Sequence, residues 1–122
     1  MKNLISIVEI PTGSFPRAVK FYQSILDVSI EEFDMQGTQM GLFPGEEGAV
    51  SVALINGTGY KPSKDGTLAY LNGGADLQKV LDKIEPSGGK VIVPKTEITP
   101  EIGFFAMFTD SEGNKMGLHS LK

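Results

Sequence analysis

The 122-residue sequence contains no cysteine, no tryptophan and a single histidine, His119. Without cysteine there is no disulfide framework, no thiolate metal site and no thiol nucleophile. With one imidazole, a zinc, nickel or iron centre would have to be completed by carboxylates. No apolar run approaches the ~20 residues that cross a bilayer. The apolar start, Leu4–Ile7, runs straight into Glu9 and Pro11 and is too short for a signal-peptide core. A basic face is missing as well. Lysines alternate with acids, the net charge is −4 and the pI is about 4.9, which argues against nucleic acid as a partner. Neither a Walker nor a Rossmann phosphate loop occurs, nor a Gly-x-Ser-x-Gly nucleophile elbow. These absences lead to the expectation of a cytoplasmic protein with neither nucleic acid nor membrane as partner. Its acidic balance mildly favours a neutral or cationic small molecule.

What is present is a pattern stated twice. The length suits one domain, 1–122, large enough to bury a core without staples. Residues 4–55 read as strand, amphipathic helix and three strands, and residues 67–119 read the same way. Phe43-Pro44-Gly45-Glu46-Glu47-Gly48 stands 65 positions before Phe108-Thr109-Asp110-Ser111-Glu112-Gly113. That offset pairs Val52 with Gly117 and Leu54 with His119. The fold class is therefore α+β: tandem βαβββ modules, their mixed sheets curled around a cavity. The modules span 1–56 and 67–122, with a turn-rich linker at 57–66.

The first module opens with a β-branched strand at 4–10, stopped by Pro11-Thr12-Gly13. Ser14 is the expected helix N-cap, with Pro16 in the first turn. Ala18, Phe21, Tyr22, Ile25 and Leu26 make the apolar stripe. Strands are expected near 28–34, 38–43 and 49–55. In the second module a strand covers 67–72, Asp76 caps a helix carrying Leu77, Val80, Leu81 and Ile84, and strands follow near 90–97, 102–109 and 114–119.

Strand alternation then selects the residues that can line a cavity. If Val8 and Ile10 pack on the first helix, Ile7 and Glu9 face away from it. If Ala69 and Leu71 are core, Leu68, Tyr70 and Asn72 face the cavity. If Met116 and Leu118 are core, Gly117 and His119 do so. A slip of one residue reverses each assignment. Glu9 is a carboxylate among isoleucines and valine, which is costly unless paired or solvated. It reads either as a general base or ligand counter-ion, or as a solvated rim residue. His119 reads as a general acid/base or hydrogen-bonding group, or as an edge residue near a frayed end. Tyr70 and Asn72 put polar tips on an apolar strand, which suits ligand orientation and a wet sheet face almost equally. Lys95 reads as a solvated lysine before a rim charge. Met35, Met40, Phe105 and Met107 could form an adaptable lining, with ordinary core packing the simpler reading.

The paired modules, Phe21-Tyr22 in the first helix and the turn Asp110-Ser111-Glu112-Gly113-Asn114 before the last strand resemble the vicinal oxygen chelate superfamily. This group includes glyoxalase I, extradiol dioxygenases, and fosfomycin- and bleomycin-resistance proteins. The resemblance covers nearly the whole chain and implies the glyoxalase/bleomycin-resistance/dioxygenase fold. It also implies that these small proteins often pair into homodimers. Metal-dependent members of the group take His or Glu ligands from four strand positions. Here these fall on Ile7, on Val52 (Ala53 after a one-residue slip), on Leu68 (Thr67 after a slip) and on Gly117. None carries a metal-binding donor beyond the weak hydroxyl of Thr67, so no metal and no cofactor is expected.

Three readings follow. The first is a metal-independent binding protein holding a small organic molecule with Glu9, Tyr70, Asn72 and His119. The alternative is a lyase or isomerase in which Glu9 and His119 transfer a proton, with or without an atypical metal. The third is a dimeric scaffold with a filled cavity. Proton transfer requires Glu9 and His119 within ~3 Å of each other or of a shared atom.

Overall fold

The computed structural model describes residues 3–122, so the first two residues of the expected first module lie outside the described residues. The first module consists of β1 (Ile7–Pro11), α1 (Phe15–Leu26), β2 (Glu31–Met35), β3 (Thr38–Leu42) and β4 (Ser51–Asn56). The second consists of β5 (Tyr70–Asn72), α2 (Gln78–Ile84), β6 (Lys90–Thr99), β7 (Gly103–Thr109) and β8 (Lys115–Ser120). The protein is α+β, with two four-stranded mixed sheets of the same order, β1-β4-β3-β2 and β5-β8-β7-β6. In each, the first strand pairs parallel with the last and the other pairs are antiparallel.

The opening strands are shorter than their sequences suggest. Leu4 and Ile5 are exposed, and β1 begins only at Ile7, opposite the first residue of β4. Thr67, Leu68 and Ala69 lie outside β5, which has a partner on one side only. Short edge strands of this kind limit unwanted pairing with other chains. The residue-to-residue match between modules also shifts. Thr12 N–H donates to the Ile55 carbonyl at 2.9 Å, and Gly73 N–H donates to the His119 carbonyl at 2.6 Å. Ile55 is therefore the counterpart of His119, and Ala53 that of Gly117. The offset is one residue shorter than the turn alignment gave.

Helix α1 forms because its apolar residues recur at helical spacing, burying Ala18, Val19, Phe21, Tyr22 and Ile25. It ends at Asp27 in the left-handed conformation, which aspartate tolerates better than most residues. Its start is held differently from expectation. Ser14 occupies the N-cap position, but its side chain makes no capping bond. The carboxylate of Glu112 instead accepts N–H bonds from Gly13 (2.9 Å) and Ser14 (2.6 Å). For α2 the N-cap position falls on Leu77, while Asp76 Oδ1 still accepts the Gln78 N–H at 2.9 Å.

One core serves both modules. Ile10, Phe15, Tyr22 and Leu54 of the first pack in the same cluster as Leu77, Ile84, Phe108 and Leu118 of the second. Phe21 bridges the two, edge-on to Tyr22 at 5.0 Å and tilted against Phe108 at 6.2 Å between ring centres. Beside this core lies a buried polar knot. The Tyr22 hydroxyl donates to Asp110 Oδ2 at 2.7 Å. Asp110 Oδ1 accepts the backbone N–H groups of Glu112 and Asn114. The Asn114 amide donates to Asp110 Oδ2 and to the Pro11 carbonyl, and its oxygen accepts Ser63 N–H. The turn that carries the family resemblance is thus a fastening between modules. No buried side-chain polar atom is left without a partner among the described residues.

Candidate functional site

Sheet register decides which side chains share a face. In the first sheet, Ile7, Glu9, Ala53, Leu42, Met40 and Phe33 fall on the face opposite the helix, because directly paired residues project together. Val8, Ile10 and Leu54 fall on the helix side and join or flank the core. Val52 pairs with Val8 and belongs to the helix side as well. The second family metal position on the open face is therefore Ala53, the slipped alternative. In the second sheet, Tyr70 pairs with Gly117 and Gly117 with Met107, while Asn72 pairs with His119 and His119 with Phe105. Their alternation partners Leu71, Met116, Leu118, Ala106 and Phe108 belong to the core or pack against it.

This second open face holds a cleft of about 1170 Å³. Tyr70, Asn72 and His119 line it together with Phe105, Met107 and Ile98. Three of the four residues expected to contact a ligand thus come together on one wall. Ile98 was not foreseen, because the strand was expected to end near residue 97, whereas β6 continues to Thr99. The pairing of β6 with β7 shifts register between Val91 and Val93, between Val93 and Thr96, and between Glu97 and Thr99. Pro94 lies inside the second shift, where a residue lacking an N–H interrupts a ladder.

Two polar side chains in the cleft have hydrogen-bonding roles set by their neighbours. His119 Nε2 lies 2.6 Å from the Ile102 carbonyl. A carbonyl only accepts, so Nε2 carries hydrogen and Nδ1 of the neutral ring is the acceptor. Nδ1 has no hydrogen-bond partner among the described residues. Asn72 Oδ1 accepts Gly74 N–H at 2.8 Å, leaving the amide hydrogens as donors. Tyr70 is 48% exposed. One side of its ring lies against Gly117: a Cβ placed on Gly117 would stand 2.6 Å from Cε2 and 2.8 Å from Cγ of that ring.

Glu9 lies elsewhere. It lines a separate depression of about 520 Å³ with Ile7, Thr67, Leu68 and Lys115. Within one chain, Glu9 and His119 do not share a cavity. Lys95 is neither at the rim of the cleft nor simply solvated. Its ammonium bonds Asp76 at 2.8 Å and sits 4.6 Å from the Phe104 ring centre. The Lys95 bond is the main cause holding the Asp76 carboxyl below its usual range. Phe105 and Met107 do line the cleft, whereas Met35 and Met40 belong to the open face of the first sheet.

The four family metal positions do not fit a metal. Ile7, Ala53 and Gly117 have no donor atom, and neither has Leu68. Ile7 and Leu68 line the Glu9 depression, while Gly117 lies beneath the Tyr70 ring in the other sheet. Among the described residues no three His, Asp or Glu side chains gather to hold an ion.

The fold agrees with the comparisons to known proteins. Residues 4–118 match the model of the Glyoxalase/Bleomycin resistance protein/Dioxygenase superfamily. The chain belongs to this superfamily. It is similar in structure to a glyoxalase I mutant from Zea mays, with 19% identity and a TM-score of 0.76, covering 95% of this chain and 46% of the maize chain. This chain therefore spans somewhat under half the length of that enzyme. It is also similar to a glyoxylase/bleomycin resistance protein/dioxygenase domain from a Frankia species, with 16% identity and a TM-score of 0.73 over 98% of both chains. A third similar structure is an antibiotic binding protein from a Streptomyces species, with 23% identity and a TM-score of 0.67, covering 97% of this chain and 95% of that one. No curated protein matches the chain in sequence. No helix among the described residues is long and apolar enough to cross a membrane.

Proposed function

We propose that the protein binds a small organic molecule in the cleft of its second sheet without a metal or other cofactor. The observation that carries this reading is the wall itself. Phe105, Met107 and Ile98 supply apolar surface, and Tyr70, Asn72 and His119 supply three separate hydrogen-bonding groups. Ligand sites combine those two ingredients. The donor-free family metal positions favour binding over metal-assisted chemistry. The separation of Glu9 from His119 weighs against proton transfer between them. The antibiotic binding protein is a structural relative with a function of the same kind.

A homodimer in the cytoplasm completes this reading. On the open face of the first sheet, Phe33 and Met35 are exposed, as is Ile7. An apolar sheet face of this sort favours cover by a second copy. The test is a thermal-shift and calorimetric screen of uncharged and charged small organic compounds against chelator-treated protein, with light scattering for mass. Saturable binding that survives chelation and falls in Tyr70→Ala and His119→Ala supports the reading. Binding that requires a divalent ion, or that Glu9→Ala abolishes while Tyr70→Ala does not, overturns it.

A further inference from the structure

We infer that Gly117 and Tyr70 form an aromatic seat where other family members place a metal ligand, and that this seat selects planar aromatic molecules. The inference rests on the binding reading above and adds the class of ligand.

The seat follows from three observations. Gly117 is buried in the middle of β8, with its backbone in the ordinary strand region, so no turn or positive φ calls for glycine there. What calls for it is the neighbour. Three carbons of the Tyr70 ring already occupy the space a Cβ would need. The opposite part of the ring remains open to the cleft, as the half-exposure of Tyr70 requires. Removing a ligand donor at 117 would by itself leave a hole in the cleft. Instead a flat π surface fills it, with Met107 directly across from Gly117 on β7. Aromatic rings pair best face-offset or edge-on and gain beyond the area they bury, and methionine adapts to such partners.

Glu9, the residue expected to balance a ligand amine, lines the other depression and takes no part in the seat.

Two probes of similar size test the seat: 2-naphthol and its saturated counterpart decahydro-2-naphthol, titrated by calorimetry at neutral pH. Naphthol is expected to bind at least tenfold more tightly. Gly117→Ala is expected to keep the fold by circular dichroism, push the Tyr70 ring off the strand and weaken naphthol at least tenfold. Tyr70→Leu keeps the test sound should the alanine variant unfold, because it removes the ring without crowding β8 and is expected to lose naphthol to the same degree. Proton NMR reads the seat without ligand, through the ring-current shift of the Gly117 Hα signals, which Tyr70→Leu should abolish. If naphthol does not bind, if both probes bind equally, or if Gly117 shows no ring-current shift, this inference is overturned. The binding reading is overturned if no compound of the wider screen binds.

Discussion

Glu112 grips Arg17 with both carboxylate oxygens, Oε2 to Nε at 2.7 Å and Oε1 to Nη2 at 2.9 Å, from a turn 95 residues further along the chain. The same carboxylate accepts two backbone N–H groups at the start of α1 and the Ser111 hydroxyl at 2.7 Å. Its side chain is fully buried although Arg17 is largely exposed. Burial pushes the Glu112 carboxyl up, but bonds from Arg17, Ser14 and Ser111 outweigh it and bring the pKa down to about 2.

A depressed carboxylate stabilises the fold above its unfolded pKa, and that contribution fades as pH falls through the folded value. For Glu112 the window runs from the ordinary carboxyl value, 4.5, down to about 2. Glu112→Gln should therefore lower urea-unfolding stability at pH 7 and flatten its pH dependence between those limits. Equal slopes in variant and parent across that window would refute this account of the latch.

Tyr22→Phe removes the donor to the buried Asp110 and leaves the ring in the core. The expected loss is about 1–3 kcal/mol, with ligand binding in the cleft unchanged because Tyr22 does not line it. Denaturant midpoints and a probe titration check the two halves of this statement separately.

The carbonyl of Ile102 dictates that the neutral His119 ring is the Nε2–H tautomer. Long-range proton–nitrogen NMR should show Nδ1 as the unprotonated nitrogen. A Gly103→Ala substitution should disturb this arrangement, since Gly103 next to Ile102 has φ +102° and packs against the Ser120 and Leu121 backbone. A spectrum with the proton on Nδ1 would contradict the geometry.

Much of the site could be read from alternation alone. Tyr70, Asn72 and His119 share a face because β5 and β8 are regular and pair in register, so period-two counting carries over. Counting failed where geometry is local. Strand β6 runs past its expected end at 97 and brings in Ile98, and a one-residue difference between modules put Val52 where Ala53 belongs. The separation of Glu9 from His119 was illegible, because no pattern within a strand reports how two sheets sit relative to one another. The Glu112 latch was equally hidden. Ser14 is a good cap by type, and nothing local announces that a carboxylate nearly a hundred residues away takes its place.

Zinc, nickel, manganese, iron or cobalt should leave the melting temperature of the chelator-treated protein unchanged, because Ile7, Ala53, Leu68 and Gly117 offer no donor set. Elemental analysis of protein purified without a histidine tag should find less than stoichiometric metal. A stoichiometric ion whose retention depends on Glu9 or His119 would point to a site built from other residues.

The core that unites Phe21 with Phe108, and the latch beside it, make the joint between modules a subunit interface in miniature. Neither half can close its own apolar surface. Proteolysis in the exposed stretch around Tyr60–Lys61 should thus yield two fragments that stay together and migrate as one particle until denaturant separates them. Expressed apart, the halves should be unfolded alone and regain structure on mixing, a complementation pair built into a single polypeptide.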